Sequence, residues 1–430
     1  MGFSLLKLLN SDLKKNILKL FSATIISQTT AILSSFVLAF YFLPGDLGEF
    51  SVVISISAIL SIIFTLRTEY PIVINPGESN FSTFYSLFIT IAVFAITALL
   101  TIPLFLFQEL VFGINLNIFL TTLFVAISLS FIKILQSYLV SKSRFGIISI
   151  SKVLQVFSIL IIQITLFKLN IEKPLILGFL FGLLFNLFYL FYIFAKTAHF
   201  YNLKKLISCL GMYIYKFRKI VGIGSLSDII NSTASNMLPT LILVAFSKEI
   251  AGYYFFANRV LSMPLQLLSS SSASVYFQRA SGNFKRKEFR SLKKLTLKLE
   301  YWNGLAMLFI TLMIAFFLED VLHVFFGDKW DMSLKYIYIL LPFFLVRSLF
   351  SPISNIMEIL DRNDLGLYLN SSIIILNFLA IRYGAFHQDI LKTIMIISLA
   401  GCFGYLAVNL KFLHLINKLT DCENERVYKK

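Results

Sequence analysis

The sequence predicts an all-α polytopic membrane protein of about twelve transmembrane helices in two parallel six-helix lobes. Three observations carry that expectation. The chain of 430 residues is 58% hydrophobic and 14% charged and holds 46 phenylalanines, more apolar surface than a water-soluble domain can bury. Its formal net charge is +16, but the basic residues fall between apolar runs rather than on one folded face. That placement is the positive-inside pattern of a membrane protein and argues against a nucleic-acid partner. Thirdly, the two halves repeat, as set out below.

Residues Met1 to Leu20 set Lys7, Lys14, Lys15 and Lys19 against Leu5, Leu8, Leu13 and Leu18, the pattern of an amphipathic helix lying in the membrane interface. No small-residue cleavage site follows, so the segment reads as retained. Six apolar spans come next, at 21–42, 49–72, 81–106, 116–140, 147–168 and 175–195. With the amphipathic start they make an N-terminal lobe, 1–195. A basic segment, 196–220, reads as a cytoplasmic linker and carries Lys204, Lys205, Lys216, Arg218 and Lys219. The C-terminal lobe and tail, 221–430, hold spans at 221–246, 250–277, 297–318, 334–360, 366–382 and 391–413. Lys and Arg are about fourfold denser on one side of this arrangement, which places both termini in the cytoplasm and requires an even number of crossings.

Gly48-Glu49-Phe50 opens the second span and Gly252-Tyr253-Tyr254 the eighth, while Phe112-Gly113 precedes the fourth and Phe326-Gly327 the tenth. On the latter register Lys133 falls on Arg347. Six spans per half start both halves on the same side, so the repeats are parallel. Cys209, Cys402 and Cys422 have no metal-ligand spacing and map toward the cytoplasmic side, so neither a disulfide nor zinc is expected.

The stretch from Ser247 to Lys294 organises the rest. A polar turn, Ser247-Lys248-Glu249, leads into an apolar run to Phe277. A basic cluster of Arg279, Lys285, Arg286, Lys287, Arg290, Lys293 and Lys294 follows. Within the run lie Arg259, Pro264 and the serines 269–272. A guanidinium at membrane depth is costly and must face protein or a water-filled cavity.

The same stretch carries a resemblance. Ala251-Gly252-Tyr253-Tyr254, Asn258-Arg259-Val260, Met263-Pro264-Leu265 and Phe277-Gln278-Arg279-Ala280-Ser281 are similar to the polysaccharide-biosynthesis family of Wzx-type oligosaccharide flippases. That family lies in the superfamily that also holds lipid II flippases and multidrug exporters. Leu43-Pro44-Gly45-Asp46-Leu47-Gly48 and Leu66-Arg67-Thr68-Glu69-Tyr70-Pro71-Ile72-Val73 add to it, as do Phe326-Gly327-Asp328-Lys329-Trp330, Leu340-Leu341-Pro342 and Ser351-Pro352. No proline precedes the seventh span, where relatives often carry one; this chain has Ile220-Val221-Gly222.

The resemblance implies lobes around a central cavity, alternating access, and a polyprenyl-diphosphate-linked oligosaccharide as substrate, such as an O-antigen or capsule repeat unit of lipopolysaccharide-type pathways. It implies a bacterial inner-membrane location, with membrane lipids and the polysaccharide polymerase and chain-length machinery as partners. A multidrug or small-solute exporter of the same superfamily is the alternative.

No catalytic constellation is visible, so an enzyme is not expected. His199, His323, His387 and His414 pair with no Cys or carboxylate at ligand spacing, and phosphate-binding glycine loops and nucleophile elbows are lacking. The expectation is therefore no metal and no cofactor beyond H+ or Na+ coupling. The charges singled out within spans are Lys133, Lys152, Arg259 and Arg347, with Arg67, Glu69, Asp228 and Glu358.

Two readings of Arg259 stand: an internal ion pair, to Asp228, or a ligand for a diphosphate, which the planar guanidinium fork suits. Arg347 and Lys133 are candidates to assist it or to snorkel to an interface. Arg67 and Glu69, two residues apart, cannot face each other on a helix and read as gate or structural elements, with Arg279 and the kink-forming Pro264. Asp228, Glu69 and Glu358 are the carboxylates placed to couple an ion or to form salt bridges.

Overall fold

A computed structural model of the chain describes residues 26–31, 33–107, 116–198, 211–218, 220–354, 356–360 and 362–428. The amphipathic segment 1–20, Cys209, His199, Lys204, Lys205 and Phe112-Gly113 lie outside the described residues. Among those described, the structure is helical throughout. The helices are α1 (Ile26–Tyr41), then α2 (Pro44–Thr65), α3 (Glu69–Ile74), α4 (Ser79–Phe107), α5 (Leu116–Ser141), α6 (Phe145–Lys168) and α7 (Pro174–Thr197). After a π-turn at Ile220–Gly224 follow α8 (Ser225–Asn236), α9 (Leu238–Ala245), α10 (Lys248–Lys285), α11 (Phe289–Phe326) and α12 (Asp331–Phe350). Short α13 (Ile356–Ile359) leads to α14 (Asn363–His387) and α15 (Ile390–Tyr428).

Each of the twelve expected spans is occupied by one of these helices or by a consecutive pair. Among the described residues, eight helical stretches are long and apolar enough to cross a membrane, one of them spanning α11 and α12 together. The 38-residue α10 is not among them, because Arg259 and its serines lower its hydropathy. The distribution of side chains is inverted relative to a soluble protein. Phe386, Val324, Leu99 and Phe188 are exposed, whereas Ser57, Thr65, Ser82, Thr90 and Ser130 are fully buried. Small hydroxyl residues let backbones approach closely in lipid, where apolar packing alone gives helices no preference for one another.

Three spans are broken, and each break has a local cause. The second span ends α2 at Thr65 because Leu66 and Arg67 take left-handed conformations, φ 45° and 60°. Such residues cannot continue a right-handed helix and cost roughly 1–2 kcal/mol each. Thr68 closes the break by donating to the Thr65 carbonyl at 2.6 Å, and Ser86 donates to the Thr68 carbonyl at 2.8 Å. The seventh span divides between Asn236 and Leu238, just before Pro239. The tenth divides at a 3₁₀ turn, Ser351–Ile353, around Pro352. Pro71 sits in the first turn of α3, where a missing N–H is harmless. Pro264 and Pro342 lie inside helices that run on past them.

The chain forms two compact units, 1–34 with 49–240 and 35–48 with 241–430. In the first, α6 and α7 pack through Gly178 and Gly182. A Cβ at Gly178 would sit 2.7 Å from the Cα of Gln163, and one at Gly182 would sit 2.6 Å from the Cα of Ile159. A polar ladder runs beside them: Ser151 donates to Asn186 Oδ1 at 2.9 Å, Asn186 to Gln155 at 3.1 Å, and Gln163 to the Leu175 carbonyl at 2.8 Å. Ser57 and Ser130 fasten α2 to α5 by donating to the carbonyls of Thr122 and Ser61, each at 3.1 Å.

In the second unit the first turn of α2 crosses the first turn of α10 with both backbones nearly touching. A Cβ on Gly48 would lie 1.8 Å from the carbonyl oxygen of Lys248, and one on Gly252 would lie 1.7 Å from that of Pro44. Each glycine meets the carbonyl four residues before the other, so the contact is reciprocal about a local two-fold. These are the two glycines that open the repeats. Nearby, Lys329 donates to the carbonyls of Phe42 and Ala39 at 2.6 and 3.1 Å, and Trp330 Nε1 donates to that of Ala39 at 3.2 Å. A cation and an indole N–H thus satisfy the orphan carbonyls at the C-terminal end of α1. Trp330 is completely buried, against Phe256 and Tyr253.

Candidate functional site

The charged residues of the first unit form two ion pairs around the break in the second span. Leu66 and Arg67 interrupt the helix, and Arg67 and Glu69 on either side of Thr68 take different partners. Arg67 Nε lies 3.2 Å from Asp228 Oδ2, and Glu69 Oε1 lies 2.5 Å from Lys133 Nζ. The Glu69 side chain is 3% exposed and that of Lys133 40%. Asp228 is within electrostatic reach of Arg67, Lys133 and Glu69 together, so α2, α3, α5 and α8 meet at one four-charge lattice of zero net charge.

The Arg67 guanidinium packs over a glycine. A Cβ at Gly224 would lie 2.7 Å from Arg67 Nη1, and Gly224 ends the π-turn that precedes α8. The Arg67 guanidinium also covers the Tyr70 ring at 4.1 Å.

These pairings correct part of the sequence reading. The partner of Asp228 is Arg67, not Arg259. Lys133, expected to assist Arg259, lies against Glu69. Both Glu69 and Asp228 are engaged by cations, and Glu358 is exposed. Arg67 and Glu69 do not face each other, as expected, yet both belong to the same lattice.

Arg259 and Arg347 lie in the second unit, half-buried on α10 and α12. Among the described residues neither forms an ion pair. The Arg259 guanidinium lies 5.6 Å from the Phe255 ring centroid, one turn back on its own helix. That of Arg347 lies 5.9 Å from Phe343 and 5.7 Å from Tyr405 of α15. Arg347 is also within electrostatic reach of Tyr254, on the helix that carries Arg259. Aromatic faces hold a guanidinium weakly and leave its five N–H donors for an anion.

Pro264 lies inside α10 one to two turns beyond Arg259, and Ser262 donates to the Arg259 carbonyl at 3.4 Å. Arg279 is half-buried further along the same helix, and Lys152 is half-buried on α6. The expectation that His323 stands apart from carboxylates is also corrected. Its Nδ1 lies 3.4 Å from Asp328 and its Nε2 3.9 Å from Asp331. That group is largely exposed at the end of α11.

The residues that sequence reasoning missed are Gly224, the seat of Arg67, and Glu300. The latter is a buried carboxylate on α11, close in sequence to Lys293, Lys294 and Lys298.

The chain matches no family model and no curated protein. Its likenesses are to solved structures. One is the lipid II flippase MurJ in an inward closed conformation, with a TM-score of 0.67 and 16% identity, over 91% of this chain and 87% of that one. A second is a multidrug resistance MATE family transporter of the MOP superfamily in its inward-facing conformation, with a TM-score of 0.64 and 14% identity, over 91% and 96%. A third is a MOP superfamily transporter from Pyrococcus furiosus described by the reverse polarity of its binding pocket, with a TM-score of 0.56 and 12% identity, over 94% and 96%. The likeness is one of fold: the chain shares its all-helical architecture with a lipid II flippase and with multidrug resistance transporters.

Proposed function

We propose that the protein is a flippase that moves a polyprenyl-diphosphate-linked oligosaccharide, such as an O-antigen or capsule repeat unit, between the leaflets of a bacterial cytoplasmic membrane. The observation that carries this reading is the charge balance of the helices. In the first unit the described intramembrane carboxylates are matched one for one by cations. In the second, Arg259 and Arg347 keep their guanidinium groups against aromatic rings, with no carboxylate paired to them.

The barrier to moving such a lipid is the diphosphate, whose charge is prohibitive in hydrocarbon. Arginines held in a hydrated interior lower that barrier by charge-assisted, bidentate hydrogen bonds to phosphate oxygens. The polyprenyl tail stays in lipid. Arg259 is the principal ligand, assisted by Arg347. Transport rather than catalysis is the activity, both termini are cytoplasmic, and the lipid is received from glycosyltransfer and handed to a polymerase.

A multidrug or small-solute exporter is the second reading, favoured by the likeness to MATE transporters. Cationic drugs call for unpaired carboxylates in the pathway, whereas an anionic lipid calls for unpaired cations.

In the chain's own host, Arg259→Ala is expected to abolish surface glycan while the protein still reaches the membrane. Arg259→Lys is expected to restore part of it, because a point charge does not reproduce bidentate binding. Normal surface glycan with Arg259→Ala would remove Arg259 as the substrate ligand.

A further inference from the structure

One buried carboxylate in the second unit has no part in the reading above. Glu300, on α11, is 9% exposed and forms no ion pair among the described residues. Asn409, on α15, lies within side-chain reach of its carboxylate. Thr296, one turn earlier on α11, shares a 3.0 Å hydrogen bond with the hydroxyl of Tyr276 on α10, and Tyr276 is in turn within electrostatic reach of Glu300. All three neighbours are at least nine-tenths buried, with Thr296 and Tyr276 almost completely so.

Two acceptor atoms in this cluster remain without a hydrogen-bond partner, Glu300 Oε1 and Asn409 Oδ1. Tyr276 belongs to a buried apolar cluster with Leu292, Phe350, Ile353, Phe412 and Ile416, against which Leu295 and Leu299 pack.

Among the described residues no cation of the surrounding helices is paired with the carboxylate. Arg347, on α12, is held over Phe343 and Tyr405. Arg279 on α10 is half-buried without an ion pair. Lys298 of α11 and Lys411 and His414 of α15 are exposed. A buried anion with a second orphan acceptor beside it is strongly unfavourable unless a positive charge sits with them. The donor set is all oxygen, from carboxylate, amide and two hydroxyls, which suits a proton or a hard monovalent cation rather than a soft metal. One carboxylate is too few to hold a divalent ion by protein ligands.

We propose that Glu300, with Asn409, Thr296 and Tyr276, forms a binding site for a single monovalent positive charge, H+ or Na+. Either ligand neutralises the carboxylate, and Na+ also satisfies the Asn409 carbonyl. Its use as the coupling ion rests on the transport reading; the binding does not.

The test uses the purified full-length protein in detergent, with thermal unfolding followed in NaCl against choline chloride at equal ionic strength, and across acidic to alkaline pH. A sodium site raises the unfolding midpoint in Na+ for the wild type and not for Glu300→Gln. A proton site makes the midpoint depend on pH, together with a carboxyl infrared band on acidification, and Glu300→Gln removes both without any response to Na+. Equal responses of wild type and Glu300→Gln to both ions would overturn the site. Should Glu300→Gln fail to fold, Asn409→Ala decides: ion affinity weakened about tenfold or more supports the site, and unchanged affinity refutes it. Glycan export does not enter these readouts. An intact ion response alongside failed lipid flipping would overturn the transport reading and leave this site standing.

Discussion

Replacing Gly252 with alanine tests how tightly the second unit is closed. The added Cβ would lie 1.7 Å from the carbonyl oxygen of Pro44, against 3.4 Å for the start of ordinary contact, and 2.6 Å from the carbonyl carbon. The helices must therefore part by about 1.7 Å at their crossing. What the methyl group meets is backbone, so no rotamer change relieves it. Overpacking of this kind costs about 1–3 kcal/mol in general, and an unyielding backbone contact belongs at the top of that range. Gly48→Ala, with its Cβ 1.8 Å from the Lys248 carbonyl oxygen, is expected to cost a similar amount.

Because the crossing is reciprocal, the separation forced by one alanine makes room for the other. The double variant is accordingly expected to lose about 3 kcal/mol rather than about 6, a coupling characteristic of residues in contact. Gly282→Ala in the same helix is the control. Nothing lies within 4 Å of its Cβ, and alanine there is expected to gain about 0.5–1 kcal/mol from helix propensity. The assay is unfolding of the purified protein, with membrane abundance as a second readout. Wild-type stability in Gly252→Ala, or strict additivity in the double variant, would refute the reciprocal contact.

Three further outcomes are expected. Lys133→Met strands the buried Glu69 carboxylate and is expected to destabilise by about 3 kcal/mol, the low end for a buried pair because Lys133 is partly exposed; adding Glu69→Gln should recover most of that loss in the same unfolding assay. Lys329→Ala leaves the carbonyls of Ala39 and Phe42 without their cationic donor and is expected to cost about 1 kcal/mol, whereas Lys329→Arg should keep most of the stability. Cysteine labelling in intact cells is expected to place positions near Lys205 and Lys287 inside and those near Lys329 outside; an external label at Lys287 would overturn the assigned orientation.

What could be read from the sequence was set by the range of the interaction that determines it. Apolar runs are local, so each of the twelve spans was legible, and the structure fills them with helices. The Leu66-Arg67 break was not, because neither residue favours a left-handed conformation and the bond from Ser86, on another helix, reaches the Thr68 that closes it. Charge pairing was legible as a list of residues but not as partners: Arg67 meets Asp228 across many residues of sequence, and no local pattern distinguishes that choice from Arg259. Gly48 and Gly252 stood out as repeat landmarks, while their mutual contact needed the fold. Glu300 escaped notice because its sequence neighbours are lysines on the exposed side of α11, and a carboxylate among lysines reads as surface.

The account stands on the claim that unpaired arginines in the second unit carry a lipid diphosphate across the membrane. The most direct measurement reconstitutes the purified protein in vesicles with a fluorescent polyprenyl-diphosphate oligosaccharide and follows its arrival in the opposite leaflet by accessibility to a membrane-impermeant reagent. The account predicts protein-dependent flipping that Arg259→Ala reduces about a hundredfold or more, as loss of a bidentate charged contact at the barrier implies, while a polyprenol oligosaccharide lacking the diphosphate is not distinguished by that variant. Flipping at the wild-type rate by Arg259→Ala, or protein-dependent movement of cationic drugs with none of the lipid, would contradict it.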